Sequence, residues 1–163
     1  MSARTESFEI LKVLAHHRVE LIVVGMTAAV LQGAPVHTFD LDIIYALNDE
    51  NIQRLLAALT ELSAEFRGDI AGRRIKPNAS HLMSTGHKLL TTKFGQLDVL
   101  ATIEKDTRYE DLIGDTVRLD LDGVVIQVLG LERLIRAKEN AGRPKDHAAL
   151  PVLRATLDLV KKG

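Results

Sequence analysis

The 163-residue sequence predicts an α+β domain. Three observations point there. An apolar run, Leu21–Val24, breaks at Gly25 and leads through an amphipathic stretch to a second apolar run, Asp40–Tyr45; two later pairs of short apolar runs are each joined at a glycine; and the chain closes on two stretches with helical spacing. Strands and helices grouped in this way must bury their apolar faces against one another around one core.

Length and composition bound the reading. A chain of 163 residues suits one domain, with hydrophobic residues at 46% and charged ones at 26%. The formal net charge of −1, from 21 Lys and Arg against 22 Asp and Glu, excludes broad electrostatic coating of nucleic acid but leaves room for a local basic site. Without cysteine there is neither a disulfide nor a thiolate metal site, and no oxidising compartment is required. The opening residues Met1–Glu6 run into a charged amphipathic segment, so neither a signal peptide nor a membrane span is expected, and the default compartment is cytoplasmic.

Each element follows from its own pattern. Phe8, Leu11 and Leu14 share one face of a helix over Thr5–His17, with Thr5 as its cap and His16 and His17 at its end. Leu21–Val24 is a buried strand, and Gly25 turns it directly into a helix reaching about Gln32, which Gly33-Ala34-Pro35 stops. The second strand is Asp40–Tyr45. A long helix capped by Asn48 or Asp49 turns Ile52, Leu55, Leu56, Leu59 and Leu62 toward the sheet.

From Arg67 to Ser80 the chain reads as a polar surface loop, its basic residues Arg73, Arg74 and Lys76 either solvated or flanking a phosphate site. Leu89–Lys93 and Gln96–Ile103 form a hairpin through Gly95, Tyr109–Ile113 a short helix, and Thr116–Leu121 and Val124–Leu129 a second hairpin through Asp122-Gly123. Gly130 opens a helix over Leu131–Ala141, Gly142 ends it, and Pro144 starts a last helix to about Val160.

The chemistry concentrates on acids in strands. Asp40 and Asp42 lie two apart, so they share a face while Leu41 and Ile43 turn into the core. Left uncompensated, two acids in an apolar strand carry a desolvation penalty on the order of several kcal/mol. A hard cation such as Mg²⁺ between their oxygens relieves it; a salt bridge or strand-end cap is the plainer alternative. Asp98, between Leu97 and Val99, is a third acid facing away from its apolar neighbours. The first amides of the helix after Gly25, at Met26, Thr27 and Ala28, lack intrahelical acceptors and offer a cradle for phosphate; taken alone such a junction is plain packing, and the phosphate reading rests on the Asp pair that follows.

At these residues the sequence resembles the nucleotidyltransferase superfamily typified by DNA polymerase beta. Its signature is an apolar strand, Gly-Gly or Gly-Ser opening a helix, and Asp-x-Asp on the next strand, here Gly25-Met26 followed by Asp40-Leu41-Asp42, with Asp98 matching the third carboxylate. Met26 departs from the pattern: glycine-only angles there would narrow the phosphate pocket, whereas ordinary angles would let the side chain turn into the core. The tail Gly130–Lys138 and Gly142–Asp146 is similar to the small nucleotidyltransferases related to abortive-infection toxins.

The resemblance implies a mixed sheet with helices packed on one face, a core over about residues 5–129 and C-terminal helices over about 130–161. It also implies transfer of an NMP from an NTP, ATP among them, to an acceptor hydroxyl, with release of pyrophosphate. Asp40, Asp42 and Asp98 would ligate two Mg²⁺ ions, with Mn²⁺ as a substitute. Gly25, Met26 and Thr27 would bind phosphates, the Thr27 hydroxyl adding a donor. Lys138 and Lys145, oriented by Asp146, would hold the triphosphate or pyrophosphate; read without the resemblance, they are ordinary helix-surface charges. The acceptor is a tRNA, a protein or a small molecule, and a homodimer or partner subunit would supply its surface. The alternatives are a catalytically weakened nucleotide-binding or regulatory partner of a toxin-antitoxin type system, and a metal-dependent nuclease.

Overall fold

The computed structural model describes residues 3–68 and 72–163. Its elements in order are α1 Ala3–His16, β1 Leu21–Val24, α2 Gly25–Leu31, β2 Leu41–Tyr45, α3 Asp49–Glu61, β3 Glu65–Phe66, α4 Ala79–Met83, β4 Lys88–Thr92, β5 Gly95–Leu100, β6 Thr102–Ile103, β7 Thr107–Arg108, α5 Tyr109–Leu112, β8 Thr116–Leu121, β9 Val124–Leu129, α6 Leu131–Ala141 and α7 Pro144–Lys162. Seven strands make one mixed sheet in the order β3-β4-β5-β2-β1-β9-β8, so the fold is α+β. β1 runs antiparallel to β2, and β2 runs parallel to β5.

The core is centred on β1 and β2. All four residues of β1 are buried, as are Leu41, Ile43, Ile44 and Tyr45 of β2. Side chains alternate, so Leu41 and Ile43 share a face with their parallel partners Leu97 and Val99, all fully buried. Ile52, Leu55 and Leu59 come from one face of α3, and each contributes about 1.5–3 kcal/mol through burial. Asn48 caps that helix by accepting from the Asn51 amide at 2.9 Å. Buried Asn51 then donates to the carbonyls of Glu20 at 3.0 Å and Ala46 at 2.9 Å, fastening α3 to the ends of both central strands. Among the described residues no helix is long and apolar enough to cross a membrane.

The expected elements differ in places, each for a local reason. Helix α1 begins at Ala3, so Thr5 lies inside it rather than capping it. Strand β2 begins at Leu41, which leaves Asp40 just before the strand. The second strand of the first hairpin ends at Leu100, and Thr102–Ile103 leaves the main sheet to pair with Thr107–Arg108. The expected loop over Arg67–Ser80 contains the start of α4, where Asn78 accepts from the His81 amide and the His81 ring accepts from the Asn78 amide. Within that loop Asp69, Ile70 and Ala71 lie outside the described residues, as do Met1 and Ser2, while Arg73, Arg74 and Lys76 are exposed. The second hairpin turns through Asp122 (φ +53°) and Gly123 (φ +89°), the paired left-handed angles of a tight two-residue turn.

Lys88 is the unusual buried polar group. It is 3% exposed, and its Nζ donates to the Tyr45 hydroxyl at 2.9 Å and to the Ser84 carbonyl at the end of α4. Burial pushes its pKa down to about 8 and pushes that of Tyr45 up. The folded protein therefore binds fewer protons at Lys88 than the unfolded chain does between about pH 8 and the usual lysine value of 10.5, so stability rises with pH in that window. Chemical unfolding of wild type against Lys88→Met is expected to show a difference of about 2 kcal/mol accumulating between pH 8 and 10. A flat difference would exclude it.

Candidate active site

The site begins where β1 ends. Gly25 takes φ +67°, a left-handed angle that favours glycine, and a Cβ built on it would lie 2.5 Å from Oδ2 of Asp42. The residue is thus needed for the turn and for the approach of its backbone to an acid on the neighbouring strand. Met26 keeps an ordinary helical φ and packs half-buried against the core, so no glycine is required there. No side chain caps α2, which leaves its first amides without a side-chain acceptor. The Thr27 hydroxyl does not point at such a cradle: it donates to the Asp40 carbonyl at 2.8 Å, tying the first turn of α2 to the approach to β2.

Asp42 and Asp98 are partners in the parallel register of β2 and β5, so their side chains stand on the same face, one strand apart. Oδ1 of Asp42 is buried without a hydrogen-bond partner. Burial, and then the Asp98 carboxylate beside it, push the Asp42 pKa up to about 7; Asp40 adds in the same direction, and Lys138 opposes it. Asp40 itself is exposed. Asp98 is held by Arg67, whose guanidinium contacts Oδ1.

Arg67 was not legible as a site residue. It directly follows the two-residue strand β3, its amide donates to the Leu89 carbonyl at 2.9 Å, and Leu89 is the β4 partner of Asp98. The arginine therefore reaches Asp98 across β4, a relation that depends on strand order rather than on spacing in the sequence.

A second cluster joins α6 to α7. Asp146 is fully buried and accepts from Nε of Arg143 at 2.7 Å and from Nζ of Lys138 at 3.2 Å. Arg143 first, and Lys138 after it, hold the Asp146 carboxyl down to about pKa 2. The partner of Asp146 is thus Arg143 rather than Lys145, which lies exposed on α7. Lys138 is the member of this cluster whose charge is felt at Asp42. Asp146 contributes stability above the usual carboxylate range, and that contribution is lost as pH falls through about 2. Asp146→Asn is expected to destabilise the fold by about 3 kcal/mol at pH 7, because two cations lose their buried acceptor. The gap between wild type and variant should narrow as acid unfolding is followed toward pH 2.

The donor set suits a hard cation. Asp42 and Asp98 offer adjacent carboxylates, and one oxygen of Asp42 is buried without a partner. Among the described residues, however, no three acidic or imidazole groups stand close enough together to hold a metal ion. Asp98 is engaged by Arg67 on Oδ1, and Asp40 is exposed just before β2. A groove of about 1010 Å³ has Phe8, Val30, Pro35 and the hydroxyl residues Thr27 and Thr38 in its lining, and none of the three acids lines it.

No family model matches this chain, and no curated protein matches it in sequence. Solved structures do. A protein of Thermotoga maritima named as a candidate nucleotidyltransferase superposes with a TM-score of 0.61 at 20% identity, covering 93% of each chain. The antibiotic-resistance factor ANT(2'')-Ia superposes with a TM-score of 0.58 at 16% identity, covering 96% of this chain and 83% of its own. At such identities the likeness is one of fold, and the fold is that of these nucleotidyltransferase structures.

Proposed function

We propose that this chain is a nucleotidyltransferase, moving an NMP from an NTP to an acceptor hydroxyl with release of pyrophosphate, and that Asp42 and Asp98, with Asp40 beside them, hold Mg²⁺. The reading is carried by one observation: Asp42 and Asp98 stand side by side in parallel register, with one oxygen of Asp42 unpartnered and the other against the Gly25 turn. The fold and the ordinary backbone of Met26 support it.

When bound, the cation supplies Lewis-acid stabilisation of charge on the phosphate oxygens and lowers the pKa of the acceptor hydroxyl. The chain's own groups do the positioning. The uncapped amides of α2 at Met26 and Thr27 donate to the β- and γ-phosphates, and Gly25 lets the backbone come close enough to serve. Lys138, fixed by Asp146, places positive charge on the Asp42 side of the site to hold the triphosphate and then the leaving pyrophosphate. Exposed Lys145 serves the outer phosphates. ANT(2'')-Ia is an antibiotic-resistance factor, which favours a small-molecule acceptor over a tRNA or a protein.

The test is to incubate the protein with each α-labelled NTP and Mg²⁺ or Mn²⁺, alone and with cell extract, and to follow covalent label and pyrophosphate. Transfer that disappears in Asp42→Ala supports the proposal; no transfer from any NTP with either metal overturns it. One observation favours a second reading, a nucleotide-binding regulatory protein: Asp98 is paired with Arg67, and three acids do not converge. Thermal stabilisation by NTP that needs neither metal nor Asp42 would mark that outcome.

A further inference from the structure

The acids of the site are unequally served. Asp98 has a guanidinium on it, while its register partner Asp42 keeps a buried oxygen with no partner. The Arg67–Asp98 pair is partly withdrawn from water, the two side chains being 21% and 17% exposed, so it is screened less than a surface pair. Arginine keeps its charge at every accessible pH, so only movement of the side chain or a competing cation can free Asp98.

We propose that Arg67 is the resting counter-cation of this site and that a divalent cation reaches Asp98 by exchange with the guanidinium. The inference rests on reading Asp42 and Asp98 as cation ligands: Arg67, anchored at the β3–β4 edge of the sheet through the Leu89 carbonyl, gives Asp98 the positive partner that the Asp42 carboxylate beside it lacks. Release of Arg67 frees the Asp98 carboxylate, already beside Asp42, to share a cation with it. The pair is then an autoinhibitory contact that keeps the site closed to cations too weak to displace an arginine.

Exchange makes a signed prediction. Mn²⁺ binding is measured without nucleotide, by the loss of the free-ion paramagnetic signal, in wild type, Arg67→Ala, Arg67→Lys and Asp42→Asn. Removing the competitor should tighten Mn²⁺ about five- to tenfold in Arg67→Ala, with Arg67→Lys between it and wild type. Unchanged or weaker binding in Arg67→Ala overturns exchange. If wild type and Arg67→Ala bind equally and Asp42→Asn abolishes binding, the cation site stands and the exchange fails; if none of the proteins binds Mn²⁺, both fall. Should Arg67→Ala not fold, the unaltered protein still decides. The Arg67 Nε resonance, identified by its loss in Arg67→Lys, should shift on adding Mg²⁺, and a resonance that stays put overturns the proposal.

Discussion

Asp42→Asn is expected to abolish nucleotidyl transfer while making the metal-free protein more stable. The substitution keeps size and shape but removes the charge that the proposed cation needs, and a loss of about 10³-fold in turnover, or about 4 kcal/mol of transition-state stabilisation, is the scale for removing one electrostatic contact of this kind. The stability change has the opposite sign because the carboxylate is held against its preference. Its folded pKa of about 7 lies above the usual carboxylate value of 3.8, through burial first and Asp98 second. The folded state then binds the extra proton, and the stability present at acid pH is lost as pH rises through about 7. Wild type without metal should therefore be about 2 kcal/mol less stable at pH 8 than at pH 5 on account of this one group, and Asp42→Asn should lack that dependence. Mg²⁺ should restore stability to wild type at pH 8 and leave the variant unmoved. A variant that is less stable than wild type at pH 8, or one that retains transfer, would contradict the argument.

This opposition between stability and chemistry marks the part of the site that was legible from residues alone. Asp42 and Asp98 each alternate with fully buried neighbours, Leu41 and Ile43 on one strand and Leu97 and Val99 on the other, and a period of two is a local signal. The central strands, the long helix α3 and the Asp122-Gly123 hairpin were readable for the same reason: each is specified within a few residues by periodicity, a cap or a turn. Arg67 and β3 were not. A two-residue strand has no periodicity, and the link from Arg67 to Asp98 exists only once β3, β4 and β5 are laid side by side. The Arg143–Asp146 contact lies inside the Gly142–Asp146 stretch, yet the choice of Arg143 over Lys145 depends on where Pro144 starts α7: Arg143 becomes the N-cap, whose amide and side chain both meet a buried acid three residues on. Helix α4, five residues long, is held by the reciprocal Asn78 and His81 contacts rather than by an apolar stripe.

Gly25→Ala should give the largest stability change of any glycine-to-alanine substitution in the chain. Two penalties coincide there. A φ of +67° costs an alanine about 1–2 kcal/mol, and the new Cβ would sit 2.5 Å from Oδ2 of Asp42, closer than side-chain carbons approach other atoms. Relief requires the carboxylate to swing away or the α2 turn to retreat, so a total loss of about 3 kcal/mol is expected, together with loss of transfer because both the acid and the amide cradle are displaced. The two penalties separate in a double-mutant cycle. In an Asp42→Ala background Oδ2 and the carboxyl carbon are gone, and Gly25→Ala should then cost only the backbone share. A coupling energy of about 1 kcal/mol or more between positions 25 and 42 is the expected reading, measured by urea unfolding of the four proteins. Additive effects would mean that the turn yields independently of the acid. The glycine would then serve the backbone alone, and the close packing of turn against carboxylate would lose its place in the proposed mechanism.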